Sequence, residues 1–415
     1  MMGPSQATAL PEFFKKTRFE HLEDAIKRGD TVQVREHAMA IRAEYVPVHD
    51  GFRDTIALTL AWLVDTYGDE EGEAIGREVV EKSMEGGDPP QYSQAGLRDR
   101  VKAIALGWHW HATRFSLSED DERITFRLHP CGSGMRLVQE GIYGPGPFGP
   151  PDCGVDRKAR LPRSKNATRS TFMTEGFPIY CNHCSEMGHV SLKNETATFL
   201  VEGWTPLRKA GQCLQHTYKD VTAVPDEFYR RAGLPLPERI GASCASDRLF
   251  TDAELLDLQT HPVDRLIDGV EKGDVEGALE VLQECLTGWR DAIHDVYRLW
   301  PVLLWNAVHE RSGEKAFEDV VRATAPDLFA HIRGSDASGW AVFWMAHLRP
   351  RALTSGGDWI EYSVEEGSLL APGELQSDLN WFVARLNEGL QARGWSDVGR
   401  FAVAGGNIVH RLSRR

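Results

Sequence analysis

The chain has 415 residues, of which 26% are charged, and a formal net charge of −14. That length suffices for two or more cores of ordinary size. The acidic balance argues against nucleic acid and anionic membrane surfaces as partners, and no run of about 18 apolar residues is present to span a bilayer.

The first residues, 1–10, are short of basic and apolar character and do not read as a signal peptide. A cytoplasmic, reducing location is therefore expected. The seven cysteines then read as thiols, metal ligands or a reactive site rather than as a disulfide framework. Hydrophobic periodicity predicts helices over 18–28, 31–46, 51–67 and 70–85, with Gly29-Asp30 as a stop and N-cap between the first two. A further helix is expected over 95–109, and strands near 111–117, 122–130 and 211–218. The segment 222–260, with Pro225, Pro235 and Pro237, reads as a connection.

From about residue 261 the pattern starts again. LEDAIKRGD at 22–30 is matched by LIDGVEKGD at 266–274. His49, Asp50 and Arg53 face His294, Asp295 and Arg298; Gly72 faces Gly313; Val79-Val80 face Val320-Val321. Trp108 and His111 pair with Trp344 and His347, and ERITFRLHP at 122–130 pairs with DWIEYSVEE at 358–366. Both of these last segments alternate apolar residues with period two: Ile124, Phe126, Leu128 and Ile360, Tyr362, Val364. The expected fold class is α+β: two tandem, diverged repeats, each a helical bundle followed by a small antiparallel sheet. The first repeat spans 12–221, the linker 222–260 and the second, degenerate repeat 261–415.

The first repeat has what the second lacks. Its strand runs into His129-Pro130-Cys131-Gly132-Ser133-Gly134, where the second copy has Glu365-Glu366-Gly367-Ser368. An insertion over 137–180 leads directly into Cys181-Asn182-His183-Cys184. HxC at a strand end plus CxxC supplies four soft donors of the kind zinc takes in tetrahedral sites. Cys131, Cys181 and Cys184 are the expected metal ligands. The fourth is His129, His183, His189 or Cys153, with His129 taken first. The Gly-Ser-Gly turn can bring backbone amides close to an anion. The insertion is basic, and Ser133, Arg136, Arg157, Arg160 and Arg163 are the candidates for holding an anionic group, with the insertion acting as a lid.

His129, His183 and Glu186 are the acid–base candidates. The function expected on this basis is a zinc-dependent enzyme acting on a small anionic molecule, of hydrolytic or lyase type, with the metal as Lewis acid. Two alternatives stand beside it. One is a non-catalytic ligand- or partner-binding protein with a structural zinc. The other is an iron–sulfur or dithiol redox protein. No Walker A, GxGxxG, GxSxG, HExxH or EF-hand pattern is present.

Overall fold

The structure is a computed structural model. It describes residues 16, 18–85, 96–143, 161–202, 212–237, 248–288, 297, 299–325, 350–355, 359–364, 383–384, 387–388, 391, 399–404 and 407–413. In chain order the helices and strands are α1 Arg18–Lys27, α2 Thr31–Tyr67, α3 Asp69–Glu85, α4 Leu97–Trp110, β1 Phe115–Glu119, β2 Arg123–Leu128, α5 Gly134–Gln139, α6 Asn182–Lys193, β3 Leu200–Val201, β4 Cys213–Tyr218, α7 Asp226–Ala232, α8 Asp252–Gln259, α9 Pro262–Glu271, α10 Val275–Gly288, α11 Leu299–Thr324, β5 Pro350–Ser355, β6 Trp359–Val364, β7 Gly399–Ala404 and β8 Asn407–Ser413. The protein is thus mixed α+β, mostly helical, with antiparallel four-stranded sheets. Among the described residues no helix is long and apolar enough to cross a membrane.

The chain divides into two compact units, one of Ile56–His261 and one of Met1–Thr55 with Pro262–Arg415. The division at 261/262 falls where the sequence pattern restarts. The other falls inside α2, so α1 and the first part of α2 belong with the later chain. The expected helices 31–46 and 51–67 are one continuous helix through Pro47. A proline removes one helical hydrogen bond, but Tyr45, Phe52 and Ile56 are buried on either side of it, and that packing carries the helix through.

In the unit of Met1–Thr55 with Pro262–Arg415, two helical hairpins share one construction. In α1 the buried face is Phe19, Leu22, Ala25 and Ile26; in α9 it is Pro262, Val263, Leu266, Ile267 and Val270. Both follow the i, i+3, i+4, i+7 spacing of an amphipathic helix. Each helix stops at a left-handed glycine, Gly29 (φ 65°) and Gly273 (φ 79°). Each next helix is capped by an aspartate: Asp30 accepts from the Gln33 amide at 3.1 Å and Asp274 from the Gly277 amide at 2.9 Å. Helix α10 packs on α1, with Arg42 paired to Asp264 at 2.8 Å and Arg35 to Glu271. Further on, Gly68 (φ 87°) separates α2 from α3 and Gly313 (φ 77°) breaks α11. Gly72, which the sequence pairs with Gly313, lies inside α3 and packs against the Val64 backbone.

In the unit of Ile56–His261, the sheet has the order β1-β2-β4-β3, antiparallel throughout. Ile124, Phe126 and Leu128 are buried on one face of β2, as the alternation requires. Gln215, the register partner of Phe126, is buried on the same face, and the Trp108 indole on α4 donates to its Oε1 at 3.1 Å. The sheet of the later chain has the order β5-β6-β8-β7. Its β5–β6 register sets Ser355 against Ile360, as the β1–β2 register sets Glu119 against Ile124. The segment after β4 is folded rather than a bare connection: Val224, Tyr229 and Ala232 join Leu192, Leu200 and Tyr218 in an apolar cluster.

Candidate metal centre

The cysteine segments are positioned by two tight backbone approaches. The 131–134 turn presses on the end of α4. The Gly132 amide donates to Thr113 Oγ1 at 2.8 Å, and a Cβ at Gly132 would lie 1.5 Å from the His111 carbonyl oxygen. Only glycine fits there. His111 caps α4 instead of opening a strand, so β1 starts at Phe115 rather than 111. The His129–Pro130 peptide is cis.

The second approach joins the two cysteine segments. The Cys131 sulfur accepts from the Met135 amide at 3.3 Å. A Cβ at Gly134 would lie 2.4 Å from the Cys181 sulfur. Both sulfurs therefore rest against the same Gly134–Met135 peptide, one from each side of a separation of fifty residues in sequence. Cys181 ends a 3-10 turn, Ile179–Cys181, and is the N-cap of α6. Tyr143 holds this turn, its hydroxyl accepting from the Tyr180 amide at 2.9 Å. Cys184 stands one helical turn on from Cys181. Cys181 is buried; Cys131 and Cys184 are partly exposed, and none of the three is in a disulfide. The N-terminus of a helix favours negative charge, as a thiolate carries.

His183 is the imidazole beside the Cys184 thiol. Its Nδ1 bonds the Tyr180 carbonyl oxygen. A carbonyl only accepts, so Nδ1 carries the proton and Nε2 presents its lone pair. That Nε2 lies 3.4 Å from the Cys184 sulfur. Two donors of one tetrahedral zinc, with bonds of about 2.3 Å to sulfur and about 2.0 Å to nitrogen, stand roughly 3.5 Å apart. A backbone carbonyl on the opposite ring nitrogen is also the usual outer partner of a metal-ligating histidine. Among the described residues, no three His, Cys, Asp or Glu side chains converge closely enough, as they stand, to hold a metal ion. The donors instead form two pairs, Cys131 with Cys181 around Gly134, and Cys184 with His183.

The other expected site residues within the described part make bonds of their own. His129 Nε2 faces Ser116 Oγ on β1 at 3.2 Å, and burial, with Arg127 nearby, lowers its pKa. His189 bonds the Ala232 carbonyl through Nδ1 at 2.9 Å; its pKa is lowered by burial and by Arg169. Glu186 is buried and accepts from Ser170 Oγ at 2.6 Å and Arg169 at 2.7 Å. Two residues along a helix turn through about 200°, so Glu186 and Cys184 occupy opposed faces of α6. Ser133 is buried at the start of α5, and Arg136 pairs with Glu140 one turn along at 3.3 Å. Arg157, Arg160 and Cys153 lie outside the described residues.

The described part of the insertion is docked on α3. Arg163 donates to the Gly176 carbonyl at 3.2 Å and stacks over Tyr143. Glu73 on α3, 6% exposed, accepts from Thr168 Oγ1 at 2.6 Å and Ser164 Oγ at 3.0 Å. Asn182, beside Cys181, donates to the same carboxylate at 3.3 Å. Burial raises the Glu73 pKa against the opposing hydrogen bonds from Thr168 and Ser164. Asp69 accepts the Lys165 amide at 2.6 Å. These carboxylates, unremarkable in the sequence, are the anchors of the insertion. Asp69 belongs to the acidic first turn of α3, and Glu73 follows Gly72 in the repeat match with Gly313-Glu314.

The protein is mixed α+β, with Cys181 and Cys184 at the N-terminus of α6 and Cys131 against the Gly134–Met135 peptide that Cys181 also approaches. Compared with known proteins, the chain matches no family model, no curated protein and no solved structure.

Proposed function

We propose that the chain is a zinc-type metalloprotein, its ion held by Cys131, Cys181, Cys184 and His183, and that this centre ties the 131–135 turn to α6. The observation that carries the reading is the 3.4 Å separation of His183 Nε2 and the Cys184 sulfur, with Nδ1 already committed to a carbonyl. His183 replaces His129 as the preferred fourth ligand, since His129 is directed at Ser116. A four-donor, thiolate-rich site is closed and neutralises much of the ion's charge, which suits a structural role. The commitments of Glu186, His189 and Arg163 within the fold favour that role too.

A second reading keeps the metal as a Lewis acid acting on a small anionic molecule, in hydrolysis or elimination. The partial exposure of Cys131 and Cys184 favours it, because a catalytic ion needs an open side. Chelation separates the two. In the structural reading, removing the metal with a strong chelator melts the unit, seen as loss of the far-UV circular dichroism signal. In the catalytic reading, the metal leaves and the fold remains. A brown protein absorbing near 400 nm would replace both with an iron–sulfur centre.

We also infer that the chain arose by tandem duplication of one α+β repeat, the second copy having lost the centre. The twin glycine–aspartate turns at 29–30 and 273–274 and the two sheets of identical strand order support it. The metal reading stands independently of this one.

A further inference from the structure

The face of the first sheet opposite Ile124, Phe126 and Leu128 carries a second constellation, apart from the cysteines. Thr125 on β2 is the register partner of His216 on β4, so their side chains share that face. Thr125 Oγ1 and His216 Nδ1 are 3.0 Å apart. His216 Nε2 lies 3.0 Å from Oε1 of Glu202, the residue after β3. A carboxylate only accepts, so Nε2 carries the imidazole proton and Nδ1 presents a lone pair to the Thr125 hydroxyl, which donates. The hydrogen bond from His216 holds the Glu202 carboxyl below its ordinary range. His216 is 1% exposed and is walled edge-on by Tyr218 and Phe228, whereas Thr125 is partly exposed.

We propose that Thr125, His216 and Glu202 are a hydroxyl–imidazole–carboxylate relay that transfers an acyl group from a small ester or thioester bearing an anionic substituent. A weak hydroxyl nucleophile needs an adjacent base, and that base needs a third group to fix its tautomer. Arg123 and Arg127 stand two residues to either side of Thr125, on the same face of the strand, and supply the cationic flanks for an anionic acyl compound.

The step balances as follows. The Thr125 oxygen bonds to the acyl carbon and its proton passes to His216 Nδ1. The carbon–oxygen or carbon–sulfur bond to the leaving group breaks, and the leaving alcohol or thiol takes the proton from His216. Water then attacks the acyl-threonine ester. His216 accepts the water proton and returns it to the Thr125 oxygen, releasing the carboxylic acid.

The test treats the full chain with p-nitrophenyl benzoate and with the p-nitrophenyl half-ester of terephthalate, whose carboxylate cannot reach its own ester, reading nitrophenolate release above the protein-free rate and the acylated peptide by mass spectrometry. The expected result is an adduct on the peptide containing Thr125, with the terephthalate half-ester accelerated more. Thr125→Ser keeps both. Thr125→Val, which preserves strand shape and β-branching, loses the adduct and lowers the rate by about 100-fold or more, with an unchanged circular dichroism spectrum. His216→Gln retains the hydroxyl and falls by a similar factor. An absent adduct on that peptide, a Thr125→Val protein that reacts like wild type, or no preference for the anionic ester would overturn the proposal.

Discussion

The Cys181 sulfur occupies the space a side chain at Gly134 would need: a Cβ there would stand 2.4 Å from it. Since the next amide, that of Met135, donates to the Cys131 sulfur, this one glycine lets two cysteines fifty residues apart share a peptide. Gly134→Ala is expected to push the two apart. Overpacking of this kind costs about 1–3 kcal/mol, and bound metal falls with it. Thermal melting and elemental analysis of the same preparation check both. An alanine variant with wild-type melting and metal content would show that the approach is not needed.

Glu186 tests whether α6 has two independent faces. Its carboxylate holds Ser170 and Arg169 on the face away from the thiols. Glu186→Gln keeps its shape and removes its charge, so it is expected to cost about 1.5–3 kcal/mol, the range for a charge-assisted hydrogen bond. Metal content should not change. Denaturant unfolding and zinc stoichiometry are the two readouts; loss of metal in this variant would place Glu186 at the centre after all.

The sequence carried the elements of the fold and much less of how they meet. Period-two alternation located β2, and the Gly-Asp turns located the ends of α1 and α9, because both are local steric and hydrogen-bonding effects. The helices expected over 31–46 and 51–67 stop on either side of Pro47, yet the buried residues around it keep α2 continuous. Cys131, Cys181 and Cys184 stood out by spacing. The choice of His183 over His129 did not, since it depends on which ring nitrogen finds a carbonyl. The docking of the insertion through Glu73 and Asp69, and the Thr125–His216 pair 91 residues apart in sequence, depend on tertiary packing and strand register. Single-residue patterns do not encode either.

The twin caps give a direct check on the repeated helical hairpin. Asp30→Ala and Asp274→Ala each remove one side-chain cap. Each is expected to cost about 1 kcal/mol, by chemical denaturation. A large effect from one and none from the other would mean that the two turns, alike in geometry, do not do equal work.

Acid should loosen the start of α8. Glu254 accepts from the Thr251 amide and hydroxyl and from Arg98, and these hold its carboxyl down from 4.5 to about 2. A carboxylate whose pKa is depressed on folding stabilises the folded state above its unfolded value, and the contribution is lost as pH falls through the folded one. The expected window is thus from about 4.5 down to about 2. Titration of the Glu254 carboxyl carbon by NMR should give a midpoint near the lower end, and Glu254→Gln should remove this part of the acid dependence. A midpoint in the ordinary carboxylate range would contradict the assignment.

The proposed centre is tested most directly by metal stoichiometry, measured by elemental analysis of purified wild-type protein beside Cys181→Ser and His183→Ala. It predicts about one equivalent of zinc in the wild type, with marked loss in both variants. Full metal content in Cys181→Ser, or wild-type protein that takes up no zinc when it is supplied in excess, would contradict it.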